Sequence, residues 1–210
     1  LRTRAVPVFP SGRVFHVSPG SGGGDGSVSN PFRGIEAAEA IASPGDTFLL
    51  HQGTYGGESE FNRSGTSSNY ILWKGAANET VTLENVRIAA DYIWLENLQI
   101  TGNSYGIRTY SAPEGIVITK NVFIGCHYSI YLNHGGTNWY ITDNRIVGDV
   151  DPASGSYSGE GIELQHTSGH VVAYNTISRV ADGISYPHQN CDIYGNDIFD
   201  VSDDGIEGDY

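Results

Sequence analysis

The sequence predicts an all-β solenoid in which each coil is one repeat of about 22 residues, and three observations carry that reading. An Asn recurs at positions 97, 121, 144, 175 and 196, at spacings of 24, 23, 31 and 21 residues. A series of isoleucines, Ile107, Ile130, Ile162, Ile184 and Ile206, runs beside it at 23, 32, 22 and 22. The long interval is common to both, so one insertion interrupts the period, and the Gly/Ser-rich stretch 149–159 fills it. Apolar residues then alternate around each Asn as strand residues do. Three before it stand Trp94, Ile118, Ile141, Val172 and Ile193; two after it stand Phe123, Ile146, Ile177 and Ile198, with Gln99 the exception. These columns are expected to face inward. The Leu-x-x-Leu-x-Leu spacing of a leucine-rich repeat is absent. Asn suits the corners, because its side chain bonds nearby backbone and tolerates positive φ, and stacked Asn amides can bond from coil to coil.

Residues 1–13 read as an N-terminal extension, 14–56 as a strand with a capping helix, and 57–210 as coils. Val14-Phe15-His16-Val17 is a short strand, and the run Gly22-Gly23-Gly24-Asp25-Gly26 lacks the Gly-Lys-Ser/Thr of a phosphate loop and occurs once, so it reads as a flexible loop. Residues 35–42 place Ile35, Ala38 and Ile41 on one helical face among strong helix formers, and Ser43-Pro44-Gly45 stops them. The open end of a solenoid exposes its core, so an amphipathic helix there is a cap. No such helix follows Ile206, which predicts further coils or a self-association partner over that end. Cys126 and Cys191 fall between two and three coils apart, roughly 12 Å or more along the axis. A disulfide needs Cα atoms within about 7 Å, so two free thiols are expected.

The formal net charge of -13 argues against a nucleic-acid partner, which needs clustered Lys and Arg. No apolar run is long enough to span a membrane as a helix. A chain beginning at Leu1 suits a processed, secreted protein of the cell surface, periplasm or medium. Asn62-Arg63-Ser64 and Asn78-Glu79-Thr80 match glycosylation sequons, a short pattern that arises by chance.

Phe15-His16-Val17-Ser18-Pro19-Gly20, then Asn30-Pro31-Phe32, the Ala-rich helix, Ser43-Pro44-Gly45-Asp46 and Gly53-Thr54-Tyr55, together with the coil repeats, resemble right-handed parallel β-helix proteins of the polysaccharide-lyase-like, or pectin-lyase-like, class. The resemblance covers nearly the whole chain and implies the fold. Members include lyases, hydrolases, epimerases, binding proteins and fibres, so it specifies activity far less.

The strand at the Ile column carries the candidate chemistry. One residue after each Ile stand Arg108, Tyr131, Glu163, Ser185 and Glu207; two before stand Tyr105, Tyr128, Glu160, Asp182 and Asp204; four after stand Ser111, His134, His166, His188 and Tyr210. Stacking makes three lines of these on one face. Glu160, Asp182, Asp203, Asp204 and Glu207 crowd like charges, which raises a pKa or recruits a cation. The resemblance implies calcium there, bridging protein carboxylates to a substrate uronate. Asp182, Asp203 and Asp204 also look like the three-Asp arrangement of β-helix pectin hydrolases, in which one carboxylic acid protonates the leaving oxygen and others activate water, though that family's next-coil His-Gly and basic substrate-binding motif do not occur before Tyr210. Each Asp taken alone is more often turn chemistry or a solvated charge. His166 and His188 are the expected proton-handling pair near neutrality, while Arg108, Tyr131, Glu163 and His134 are expected to bind substrate. Arg108 suits a substrate carboxylate through its guanidinium fork. Two functions remain: a carbohydrate-active β-helix that cleaves or binds acidic polysaccharide, and a non-catalytic adhesion or filament protein.

Overall fold

The computed structural model describes residues 7–132 and 134–208; the expectation placed on Tyr210 lies outside them. Three parallel sheets run the length of a right-handed β-helix. The first has nine strands, from Phe32–Arg33 and Val14–Ser18 through Thr47–Leu50, Ile71–Gly75, Ile93–Glu96, Val117–Thr119, Tyr140–Thr142 and Val171–Ala173 to Asp192–Tyr194. The second has seven, from Gly53–Tyr55 to Asp197–Val201. The third, called here the site sheet, stacks Ser59–Phe61, Val86–Ile88, Tyr105–Thr109, Tyr128–Tyr131, Glu160–Glu163, Asp182–Ser185 and Ile206–Glu207. Strands of two to five residues suffice because each is buried against its own coil and hydrogen-bonded to the coils above and below.

The isoleucine register is as the period predicts: Ile107 pairs with Ile130, Ile130 with Ile162, Ile162 with Ile184, and Ile184 with Ile206. The Asn register holds from Asn121 onward. Each ladder amide oxygen accepts the backbone N–H of the ladder residue one coil earlier, Asn144 Oδ1 from Asn121 N at 3.0 Å and Asn175 Oδ1 from Asn144 N at 3.0 Å. Each amide nitrogen donates to the earlier coil's carbonyl, Asn144 Nδ2 to Ile118 O at 2.9 Å.

Asn97 departs from that ladder. Ile118 pairs with Leu95, and Asn121 Oδ1 accepts from Leu98 N, so Leu98 occupies the ladder position and the two strands flanking this corner shift by one, while Ile107 keeps its register. A one-residue shift exchanges the faces of a strand. Leu95 and Ile100 therefore fill the core in place of Trp94 and Gln99, which removes the exception at Gln99. Trp94 lies outside the barrel, against Tyr70 and Phe9 of the N-terminal extension. Positive φ falls on the residue before each ladder Asn, at Asn97, Lys120, Asp143, Tyr174 and Gly195, and not on the ladder residue itself.

The helix spans Ile35–Glu39, shorter than the 35–42 expected. Ile35, Ala38 and Ala42 are buried and Ile41 is 39% exposed, because the helical turn loosens after Glu39 and turns Ala42 inward instead. The buried Glu39 carboxylate accepts from Asn62 N at 2.7 Å and Arg63 N at 2.6 Å, tying the cap to the first coil. The Gly-rich run is a closed turn, with Asp25 N and Gly26 N both donating to Asn30 O. Both cysteines are free of disulfides.

Removing a ladder amide strands several buried groups at once, each worth about 1–3 kcal/mol unpaired. Asn144→Ala is expected to lower unfolding free energy by about 2–4 kcal/mol in a denaturant titration. Asn97→Ala, outside the ladder, is expected to cost less than half as much.

Candidate functional site

The site sheet presents a graded face. At its N-terminal end Arg87 pairs with Glu60 at 2.6 Å, and Arg108 pairs with Glu58, its Nε at 2.9 Å. Both guanidinium groups also lie over the Tyr110 ring, at 4.7 and 4.8 Å. Next comes a tyrosine cluster: Tyr105 stands 5.6 Å from Tyr128 and 4.8 Å from Tyr131, and Tyr128 stands 4.9 Å from Tyr131. Depressions join these parts into one furrow. A cavity of about 570 Å³ near Arg33, Glu39 and Arg63 shares Glu58 with a second of about 490 Å³. The second in turn shares Tyr105 and Arg108 with a third that reaches Tyr131 and His134.

Beyond the tyrosines the face turns acidic. Glu160 and Asp182 are register partners on adjacent coils, and Glu163 and Glu207 flank Ser185 in the neighbouring line. Glu160, Glu163 and Asp182 are buried. Burial first, then Glu163, Asp182 and Glu207, pushes the Glu160 carboxyl up to about 8. Burial and Glu207 push Glu163 up to about 7. Asp182 is raised by burial against the opposing effect of the Asp204 amide, which donates to its Oδ1 at 2.9 Å. Burial and Asp182 raise Glu207 as well. Like charges on coils about 4.8 Å apart repel, and a partly buried face strengthens that repulsion, which favours the protonated forms. Glu160 Oε2 and Ser185 Oγ are buried without a hydrogen-bond partner, so the cluster keeps unused bonding capacity.

Asp203 and Asp204 lie close enough to raise Asp182 and Glu207, while the other expected residues scatter. Asp203 and Asp204 are exposed, the latter contributing its backbone. Arg108 is already engaged by Glu58. His134, His166 and His188 do not form a row. Gly136 pairs with Thr167 and Ser168 with Gln189, which sets His166 opposite Gly135 on one side and Pro187 on the other. From the Ile130 coil onward each turn after the Ile column is one residue shorter than the last, and the histidines slip out of line. All three are exposed, and His166 has a φ of 57°. Tyr186, which hydrogen-bonds Glu207, and the two Arg–Glu pairs were not found from sequence. The pairs join residues far apart in the chain, and only the coil stacking brings them together.

This architecture defines the class: a right-handed parallel β-helix. The chain belongs to the family described as periplasmic copper-binding protein (NosD), whose model matches residues 67–204. It is 27% identical over 147 residues to the uncharacterized protein YwoF of Bacillus subtilis (strain 168), a match covering 66% of this chain and 29% of that protein. In structure it is similar to pectate lyase Pel9A, with a TM-score of 0.69 and 18% identity over 83% of this chain and 50% of that one. A rhamnogalacturonan lyase follows at 0.59 and 13%, over 90% and 63%. The chain thus spans under a third of YwoF and half of the pectate lyase. No helix among the described residues is long and apolar enough to cross a membrane.

Copper seeks imidazole, thiolate or thioether donors converging on one point. The chain has no methionine, and burial pushes the Cys126 thiol up to about 12. The close imidazole pair His16 and His51 spends its facing nitrogens on each other at 2.8 Å, and the remaining His51 nitrogen meets Glu79. Among the described residues no three His, Cys, Asp or Glu side chains are grouped to hold a metal ion. The described residues do not fit a copper centre.

A carboxyl whose pKa is raised by folding holds more protons folded than unfolded. Its contribution is complete below the unfolded value near 4.5 and is lost as pH rises through the folded value. Between about 4.5 and about 8 the Glu160 carboxyl therefore costs the fold progressively more. Thermal melting across that range should fall more steeply for the wild type than for Glu160→Gln, which carries no charge at any pH.

Proposed function

We propose that this protein binds an acidic polysaccharide along the site-sheet furrow and cleaves it by acid-assisted hydrolysis. The observation that carries the reading is an aromatic platform lining the furrow, followed on the next coils of the same sheet by buried carboxyls whose pKa values are raised toward neutrality. Tyr105, Tyr128 and Tyr131 offer ring faces to sugar C–H groups. Arg87 and Arg108 supply the positive end, where a substrate carboxylate competes with Glu60 and Glu58 for the guanidinium fork. Glu160 is the proton donor to the leaving oxygen, since its raised pKa keeps the proton available at working pH. Asp182, one coil away and hydrogen-bonded as an acceptor, is the partner carboxylate. The similarity of the fold to pectate and rhamnogalacturonan lyases supports a polysaccharide ligand, and the family description supports a periplasmic or extracellular setting.

Calcium at Glu160, Asp182 and Glu207, together with Asp203 and Asp204, enters as a competing occupant, since cation binding there displaces the protons that now separate the acids. Both states are distinguished by running the assay with calcium and with chelator.

The test is a panel of acidic and neutral polysaccharides scored for reducing ends and for the ultraviolet absorbance of an unsaturated product. Reducing ends without that absorbance are expected on acidic chains. Glu160→Gln should lower the rate by about two to four orders of magnitude, and Tyr131→Ala should weaken binding about five- to tenfold. His166→Ala and His188→Ala should cleave at near the wild-type rate. An unsaturated product would replace hydrolysis with elimination, and a chain that neither binds nor cleaves any member of the panel would remove the reading.

A further inference from the structure

The insertion 149–159 assembles three side chains that the furrow chemistry leaves unused. His127 Nδ1 lies 3.0 Å from Asp149 Oδ1, and His127 Nε2 lies 3.1 Å from Ser158 Oγ. The Tyr128 hydroxyl is 3.2 Å from the same Oγ. As a carboxylate Asp149 only accepts, so Nδ1 carries the ring proton and Nε2 accepts from Ser158. The Tyr128 O–H is then left to donate to Oγ. An acid orienting an imidazole, the imidazole facing a hydroxyl and a further donor beside that hydroxyl are the parts a serine nucleophile requires, and they are recognised by geometry, whatever the fold.

The loop is built to hold them. Gly159 has a φ of +115°, and a Cβ there would stand 2.6 Å from Val150 Cγ2 and 3.1 Å from His127 Cε1, so only glycine lets the backbone lie against the imidazole. Val150 is buried, and its N–H donates to Arg179 O at 3.0 Å. Ala181 N donates to Gly159 O at 2.6 Å, and Ser202 Oγ to Ser156 O at 2.7 Å. The His127 and Asp149 side chains remain 33% and 41% exposed, which leaves the centre open to a substrate.

We propose that Ser158, His127 and Asp149 form a serine esterase centre at the edge of the furrow, removing acyl groups from sugar hydroxyls. The glycan part of that substrate rests on the reading of the furrow; the nucleophile does not. Ser158 Oγ attacks the ester carbonyl carbon while His127 Nε2 takes its proton. The ester C–O bond breaks, and the imidazolium returns the proton to the departing sugar oxygen. Water then adds to the acyl-serine with His127 again as base, which releases the carboxylic acid and restores the hydroxyl. The Tyr128 O–H is placed to meet the oxyanion.

Labelling with a fluorophosphonate and hydrolysis of p-nitrophenyl acetate test the centre without any sugar, so a failed polysaccharide assay leaves this result interpretable. Peptide mass mapping should find the phosphonyl group on Ser158 in the wild type and nowhere in Ser158→Ala. His127→Ala should slow labelling at least about a hundredfold, and Asp149→Asn should lower ester turnover by roughly 10³- to 10⁴-fold. Thermal melting of each variant separates loss of chemistry from loss of the loop. Ser158 left unlabelled in a folded wild type, or ester hydrolysis equal in wild type and Ser158→Ala, would overturn the proposal.

Discussion

Everything on this molecule's surface depends on the register between successive coils, and the Asn ladder is what fixes it. A parallel strand of three residues makes too few ladder bonds to resist slipping, and a slip of one residue would exchange core and surface. Each ladder amide resists the slip from both ends, its oxygen on the N–H of the earlier coil and its nitrogen on that coil's carbonyl. The amides also bond one another, Asn175 Nδ2 to Asn196 Oδ1 at 2.9 Å. With the corner locked, Ile107 to Ile206 can stack and the residues beside them become lines.

Those lines set the electrostatics. Where Arg and Glu alternate, as at Arg87, Arg108, Glu58 and Glu60, the face is neutralised by ion pairs. Where Glu160, Asp182, Glu163 and Glu207 follow one another, burial and mutual repulsion raise their pKa values and favour the protonated forms. The tyrosine cluster sits at the boundary between the two halves. A polymer lying along the axis would therefore meet guanidinium groups, aromatic faces and proton donors in that order, which is an arrangement suited to an extended acidic chain.

The period, the isoleucine column and the corner amides from Asn121 onward were legible because each rests on one residue type repeating at one spacing. The coil of Asn97 misled because Leu98 holds the ladder position without an amide, while Asn97 beside it takes the left-handed turn. The acidic and aromatic lines were legible for the same reason as the isoleucines. The histidine row was not, since turn lengths change from coil to coil and identical residue types no longer mean identical positions. Ser158, His127 and Asp149 gave no signal in sequence. Their meeting depends on how far the insertion folds back, and nothing in the repeat encodes that distance.

A polymer bound on the site sheet would run along the solenoid axis. From Tyr105 to Glu207 the track crosses four coil intervals, roughly 19 Å at about 4.8 Å each. Calorimetric titration with acidic oligosaccharides of increasing length tests it directly. Affinity should rise with each added sugar through about the tetramer and then level off as the chain outgrows the track. An affinity that is already maximal for a monosaccharide, or that is indifferent to length, would contradict it.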